Sequence, residues 1–277
     1  MAEPTALEPL AQGVWGWLRP RGGLGRTNSG VIVGDDEIVV VDCQMTPAQA
    51  APFATAVADL GPPVRHVVLT SSHIEFVGGN QVFRMAAVYG SEVTSAFLDQ
   101  APNVAAYQAF FPDHSDDFSD LTTRPVSHVI AEPVMLTPAV EIIPMMGSTQ
   151  GDLVVNVPAA AVLFAGGMCS FGTTPLAFQA YPAEWYESLD LLERLAADGT
   201  QIVPGHGPVG GVEDVRALRA YLAAVVDAEG DPTAIPEGPW DGWSHRELDE
   251  INVERAHLLR MGDDSLPPTM ARAIGFG

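Results

Sequence analysis

Lysine is absent from this 277-residue chain, so its 13 basic residues other than histidine are all arginines. A lysine Schiff base and a lysine general base are therefore excluded from its chemistry. The arginines face 35 acidic residues, which gives a formal net charge of −22. A field this negative repels phosphate backbones and acidic membrane surfaces. We therefore predict a small-molecule partner and no nucleic acid or membrane partner.

Cysteine is nearly absent as well, with only Cys43 and Cys169, far apart in sequence. A count this low favours free thiols in a reducing compartment. The N-terminal MAEPTALEPLAQ lacks the basic and apolar regions of a signal peptide. No apolar run approaches the ~18 residues of a membrane span. We therefore predict a cytoplasmic location, and the oligomeric state stays open.

The remaining composition is that of a globular protein, with 47% hydrophobic and 17% charged residues. Short β-branched runs such as SGVIVG, EIVVVDC, VRHVVLT and DLVVNV predict strands. Helical spacing of apolar residues predicts helices in TPAQAAPFATAVADL, VAAYQAFF, AEWYESLDLLERLAA and VEDVRALRAYLAAVVDA. A Pro- and Gly-rich stretch then predicts a loop before a last helix, SHRELDEINVERAHLLRMG. We predict one domain over 1–229, with a C-terminal loop and helix over 230–277 packed on it.

Four segments carry polar residues in a recognisable order: SSHIEFVGGN (71–80), GSTQGDLVV (147–155), FAGGMC (164–169) and PGHG (204–207). They resemble the metallo-β-lactamase superfamily, whose pattern runs His-x-His-x-Asp-His-x-Gly-Gly-Asn, Gly-His-Thr-x-Gly-Asp, Phe-x-Gly-Asp and Pro-Gly-His-Gly. The resemblance covers roughly residues 13 to 227. The later NVERAHLLR is more loosely similar to the helical tail of the glyoxalase- and polyketide-cyclase-like branches.

The resemblance implies an α+β fold, a four-layer αββα sandwich with a C-terminal helical extension and the site at one edge of its two sheets. It also implies up to seven ligand positions for two zinc ions. His73 and His206 retain two of these positions, and Glu75 replaces an aspartate. The other four positions carry Ser71, Phe76, Ser148 and Gly167.

These replacements remove most of the metal chemistry. Neutral serine hydroxyls bind zinc weakly, phenylalanine offers no ligand atom, and the glycine removes the anion that would hold two cations together. We therefore predict that the protein has no metal cofactor. A single zinc on His73, Glu75 and His206 is the alternative.

Without a metal, the same three residues can perform acid–base catalysis. Burial beside a phenylalanine raises the pKa of a carboxyl group, and protonated histidines nearby lower it. A carboxyl–imidazole cluster can move protons near neutral pH. We predict His73, Glu75 and His206 as catalytic groups in a cyclisation, dehydration or related lyase or isomerase step. The substrate expected is a small apolar carbonyl-containing metabolite, and the looser resemblance suggests secondary metabolism.

Residues around this cluster are candidates for substrate binding. Two serines can donate hydrogen bonds to a substrate oxygen, and the other candidates flank lost ligand positions or lie in loops near the expected site mouth. They are Ser71, Phe76, Ser148, Met146, Cys169, His114 and Arg26.

Two other functions fit the same residues. One is a mononuclear metal-dependent hydrolase of an ester, thioester or lactone, which predicts bound zinc. The other is a non-catalytic protein that binds a ligand in the old pocket. At single positions a structural role is the alternative to a functional one. An isolated histidine is more often a packing residue than a catalytic one, and Cys169 can be a small buried thiol.

Overall fold

A computed structural model describes residues 5–275 of the chain. Twelve strands are described: β1 (Glu8–Ala11), β2 (Val14–Trp17), β3 (Ser29–Val33), β4 (Ile38–Val41), β5 (Val64–Val68), β6 (Ala87–Gly90), β7 (His128–Val129), β8 (Val134–Thr137), β9 (Val140–Met145), β10 (Asp152–Val157), β11 (Val162–Ser170) and β12 (Gln201–His206). The described α-helices are α1 (Pro47–Ala58), α2 (Ile74–Val77), α3 (Glu92–Leu98), α4 (Val104–Phe110), α5 (Pro182–Leu195), α6 (Val212–Asp227), α7 (Asp249–Arg260) and α8 (Pro268–Ala273).

The first sheet contains strands β1 to β7 in chain order. Strands β1 to β4 pair antiparallel, and β4 to β7 pair parallel. Strand β4, at its centre, is apolar and buried along its whole length, as expected for a strand covered on both faces. Val41 of β4 pairs with Val68 of β5, so the polar residues that follow both strands lie at the same sheet edge.

The second sheet has the order β12-β11-β10-β9-β8. Its strands pair antiparallel except for β11 and β12, which run parallel. Strand β11 is buried along all nine residues. Near its C-terminal end, Ser170 pairs with His206 at the end of β12, which brings the PGHG segment to the same end of the molecule.

Three apolar cores separate four layers. The inner faces of the two sheets meet around Val39, Val68 and Phe164. Helix α1 packs its Phe53 and Val57 on the outer face of the first sheet. The outer face of the second sheet packs against α5 and α6 through residues such as Trp185 and Leu218. This arrangement confirms the predicted αββα sandwich with its C-terminal helical extension.

The C-terminal segment differs in detail from the sequence expectation. The predicted single helix begins only at Asp249, because residues 246–248 form a 3-10 turn, and a further short helix, α8, follows it. Asn252 of α7 bonds the backbone of Ala177 and Pro175, so α7 is fastened to the loop after β11. The boundary at residues 229 and 230 stays a prediction. Among the described residues, no helix combines the length and the apolar character that a membrane crossing needs.

Candidate active site

The loop after β5 carries His73 and Glu75, and a buried carboxyl group fixes its course. The backbone N–H and the hydroxyl of Thr70 donate hydrogen bonds to the carboxyl group of Asp42, at 2.8 and 2.7 Å. Asp42 follows β4 directly and adopts a positive φ of 62°. Burial raises the pKa of Asp42 to about 8, against the hydrogen bonds from Thr70. The anchor therefore ties the ends of two neighbouring strands together.

Two glycines let this loop approach the segment after β4. A Cβ on Gly78 would collide with the carbonyl oxygen of Met45, and a Cβ on Gly79 with that of Cys43. Only glycine fits such close backbone contacts. Helix α2 therefore packs directly against that segment, with His73 at its N-cap and Glu75 in its first turn.

His73, Glu75 and His206 come together, and we call these three residues the Glu75 cluster. Nε2 of His206 lies 3.7 Å from Oε1 of Glu75, and Nδ1 of His73 lies 4.0 Å from the same oxygen. The Glu75 side chain is 9% exposed. One buried carboxylate oxygen therefore faces two imidazole rings, each just beyond hydrogen-bond distance.

The charge of the Glu75 cluster follows from its contacts. Burial raises the pKa of the Glu75 carboxyl, but the contact with His206 and the charge of His73 together hold that pKa below its usual value. The carboxyl is therefore ionised at neutral pH. The two imidazoles together lower this pKa more than burial raises it. The sequence predicted both effects but not which of them is larger.

His206 is oriented by a backbone carbonyl. Its Nδ1 lies 3.2 Å from the carbonyl oxygen of Arg26, which can only accept a hydrogen bond, so Nδ1 carries a proton. Its Nε2 faces the Glu75 carboxylate, which also only accepts. The ring edge also contacts Phe76, with centroids 5.7 Å apart and planes at 78°.

His73 has an unused ring nitrogen. Its Nε2 is buried and has no hydrogen-bond partner in the described part of the chain. The ring stacks on Phe178, with centroids 5.3 Å apart and planes 14° from parallel. A buried polar atom without a partner costs about 1–3 kcal/mol and is uncommon in native structures. Nε2 of His73 therefore has hydrogen-bonding capacity that no described residue uses.

A pocket of about 200 Å³ is lined by His73 and Glu75. We call it the apolar pocket, because most of its other walls are apolar: Phe97, Phe110, Phe111, Leu176, Met270 and Ile274. It is smaller than the ~300–1,000 Å³ usual for drug-sized ligands, so it suits a small metabolite. Ser72, Phe178 and Gln179 separate it from a more polar pocket of about 380 Å³, whose wall includes Arg255.

The predicted substrate-binding serines lie behind this pocket. Ser71 is fully buried, and its hydroxyl lies 3.3 Å from that of Ser148. Ser148 donates to the Asp152 carboxylate at 3.0 Å, so Ser71 donates to Ser148. Phe76 is buried and packs on His206. None of these three is among the described residues that line the two pockets. Their role in substrate binding stays a prediction.

Four further candidates lie in different surroundings. Cys169 is buried in the core between the second sheet and α5, and burial raises its thiol pKa. Met146 is 36% exposed. His114 lines a separate groove beside α1, where it contacts Asp117. Arg26 contributes the backbone carbonyl that orients His206. A direct contact of these side chains with substrate stays a prediction.

Two aromatic residues at the site were not predicted from the sequence. Tyr107 of α4 and Phe178, from the loop before α5, line the apolar pocket beside the Glu75 cluster. The helix that contains Tyr107 was predicted, but its spacing gives no sign of which partner the ring meets. Phe178 has no motif around it. Only tertiary contacts identify both residues.

The model of the metallo-β-lactamase superfamily matches residues 22–207 of the chain. The chain belongs to this superfamily. The match spans β3 to β12 and includes every residue of the Glu75 cluster. The resemblance drawn from the four motifs is thereby confirmed.

Individual relatives agree with this membership. The hydroxyacylglutathione hydrolase of Rhodobacter capsulatus is 26% identical over 236 residues, which cover 85% of this chain and 74% of that protein. The metallo-β-lactamase FIM-1 from Pseudomonas aeruginosa, solved in a mono-zinc form, is 22% identical with a TM-score of 0.61, over 85% of this chain and 100% of that one. VMB-1 is 17% identical with a TM-score of 0.65, over 81% and 99%. The two structures support the fold alone.

The residues at this site do not fit a dinuclear zinc centre. A Cβ on Gly167 would lie 2.7 Å from Cβ of Ser71 and 2.9 Å from Oγ of Ser148, so the position has no room for a bridging side chain. The two serine hydroxyls bond each other and Asp152 instead of converging on a cation. Steric and hydrogen-bonding observations thus agree with the loss of ligand types seen in the sequence.

A single metal also lacks an arranged ligand set. One nitrogen of each imidazole lies 3.7 or 4.0 Å from the same oxygen of Glu75, which is wider than the roughly 3.3 Å that separates two ligand atoms of a tetrahedral zinc at about 2.0–2.1 Å from the metal. Within residues 5–275, no group of three or more histidine, cysteine, aspartate or glutamate side chains is placed to hold a metal ion. The carboxylate itself takes the place between the two rings.

Proposed function

We propose that this protein is an enzyme that moves protons on a small, largely apolar carbonyl compound by general acid–base catalysis, without a metal. The step is a cyclisation, dehydration, or related lyase or isomerase reaction. One observation carries the proposal: a buried, ionised carboxylate lies between two imidazoles at the wall of an apolar pocket.

The proposal gives each member of the Glu75 cluster a role. Glu75 supplies the negative charge that orients and stabilises the imidazoles when they carry a proton. His73 removes a proton from the carbon next to the carbonyl, or returns one, through Nε2, which is unpartnered among the described residues. Imidazole is the side chain best suited to this exchange near neutral pH. His206, held by the Arg26 carbonyl, fixes the position of the carboxylate.

Apolar walls support the same chemistry. A desolvated pocket strengthens the electrostatic interaction between the carboxylate and a protonated imidazole. Aromatic and aliphatic side chains dominate the lining, which favours a substrate with few charges. The net charge of −22 further disfavours anionic substrates.

Membership of the superfamily favours a second candidate. Members of the superfamily and the relative named hydroxyacylglutathione hydrolase are hydrolytic enzymes. Hydrolysis of an ester, thioester or lactone with one metal ion would require His73, Glu75 and His206 to rearrange around that ion. The ligand types are adequate for this, since two histidines and one glutamate form known catalytic zinc sites.

Deuterium exchange distinguishes the two candidates without knowledge of the natural product. Small apolar ketones and aldehydes are incubated with the protein in D₂O, and deuterium uptake at the carbon next to the carbonyl is followed by NMR. We expect catalysed uptake that persists after treatment with a chelator. Ester or thioester cleavage that needs added zinc, with no catalysed uptake, supports the hydrolase instead. Saturable binding with neither activity supports a ligand-binding protein.

A further inference from the structure

Tyr107 is the polar aromatic residue of the apolar pocket. It lies on α4 and lines the same pocket as His73 and Glu75. Its ring packs against Phe118, with centroids 5.5 Å apart, which fixes the direction of the side chain. Both the position and the orientation of the ring are therefore set by the fold.

The hydroxyl of Tyr107 makes no hydrogen bond to any described residue. It is also not one of the buried polar atoms that lack a partner, so it is accessible from the cavities that Tyr107 lines, which are the apolar pocket and a neighbouring one of about 90 Å³. A phenol hydroxyl can donate one hydrogen bond and accept another. In a pocket with mostly apolar walls, this group is free to bond a ligand.

The protonation state of Tyr107 suits donation. Burial and the negative charge of Glu75 raise the pKa of Tyr107 to about 12. The hydroxyl therefore keeps its proton throughout the neutral range.

Proton removal next to a carbonyl places negative charge on the carbonyl oxygen. A hydrogen-bond donor preorganised at that oxygen stabilises the transition state. The Glu75 cluster can accept the proton, but its ionised carboxylate cannot donate a hydrogen bond to the oxygen. We propose that Tyr107 is a catalytic residue whose hydroxyl donates a hydrogen bond to the substrate's carbonyl oxygen, opposite the Glu75 cluster. This inference rests on the proposed function and specifies how the pocket holds a carbonyl.

The proposal accounts for the direction of a bound substrate. With its oxygen at Tyr107, the adjacent carbon can face His73, while the apolar remainder lies against Phe110 and Leu176. The proton passes from carbon to Nε2 of His73, and the electron pair of the broken C–H bond moves onto the carbonyl oxygen. The hydrogen bond from Tyr107 strengthens as that charge develops.

The test uses 4-(dimethylamino)benzaldehyde, an uncharged aldehyde whose near-ultraviolet absorption moves to longer wavelength when its oxygen accepts a hydrogen bond. Difference spectra are recorded for the wild type, Tyr107→Phe and Tyr186→Phe. Tyr186 lies on α5, where its ring stacks beneath Arg219 of α6, and it does not line the apolar pocket. Tyr186→Phe therefore removes a phenol oxygen outside the pocket. Phenylalanine at position 107 retains the ring that packs on Phe118.

We expect the bound probe to absorb at longer wavelength in the wild type and in Tyr186→Phe than in Tyr107→Phe. Affinity falls by about 2- to 10-fold in Tyr107→Phe, the usual worth of one neutral hydrogen bond. Coincident bound spectra in the wild type and Tyr107→Phe overturn the role of Tyr107 and leave the Glu75 cluster chemistry standing. Absence of probe binding to the wild type overturns this inference together with the carbonyl pocket.

Discussion

Replacing Glu75 by glutamine tests the role of the buried carboxylate with almost no change in shape. The substitution removes a negative charge 3.7 and 4.0 Å from two imidazole nitrogens. At an effective dielectric constant of about 20, a unit charge pair at either distance interacts by about 4 kcal/mol. A positioned acid–base group contributes about 10²–10⁴ in rate, or about 3–5 kcal/mol. The loss of one such interaction is therefore enough to produce the full expected effect.

The assay is the deuterium uptake of the best carbonyl compound found for the wild type. We expect Glu75→Gln to slow uptake by about 10²–10⁴ at neutral pH. Glu141→Gln is the matched control, because Glu141 lies on β9 and bonds Asn156 away from the pocket. A rate in Glu75→Gln within about threefold of the wild type refutes the assigned role.

Three further predictions concern the surroundings of the site. Because the pKa of Asp42 is raised from 3.8 to about 8, its contribution to stability is complete below the ordinary value and is lost as the pH rises from there through about 8. Between the two values the slope of unfolding free energy due to Asp42 reaches about −1.4 kcal/mol per pH unit, and urea titrations from roughly pH 5 to 9 should show this slope missing in Asp42→Asn. Gly167→Ala should destabilise the fold by about 1–3 kcal/mol in the same titration, since its Cβ meets two serine side chains; an unchanged midpoint contradicts this packing. Cys43 and Cys169 are buried with raised thiol pKa values, so a thiol reagent at pH 8 should modify neither in the native protein and both after unfolding.

Strands with continuous apolar runs were predictable from sequence, because burial on both faces leaves a strong local signal. Strands β3, β4, β10 and β11 each contain an apolar run of at least three residues. Strands β7 and β8 were not predicted. Strand β7 has only two residues, β8 is short with its first two residues exposed, and both occupy the outer edges of their sheets. Both segments form strands because they pair with a neighbouring strand, and their own residues do not predict this.

The site was only partly predictable, for a related reason. His73 and His206 could be placed together because both lie on motif positions shared with a known family. Which group faces Glu75 depends on contacts between segments more than 100 residues apart, such as that between His206 and Glu75. Helices α4 and α8 contribute walls of the apolar pocket because of how they pack on the rest of the protein, and no local sequence pattern predicts that packing.

Metal content per active chain tests the central claim most directly, because it separates catalysis by the Glu75 cluster from catalysis by a retained ion. Untagged protein is purified without chelator, assayed for deuterium uptake, and analysed by inductively coupled plasma mass spectrometry. We predict full uptake activity with less than about a tenth of an equivalent of zinc, iron or manganese per chain. About one equivalent per chain, with activity lost on its removal and restored on its return, contradicts the account.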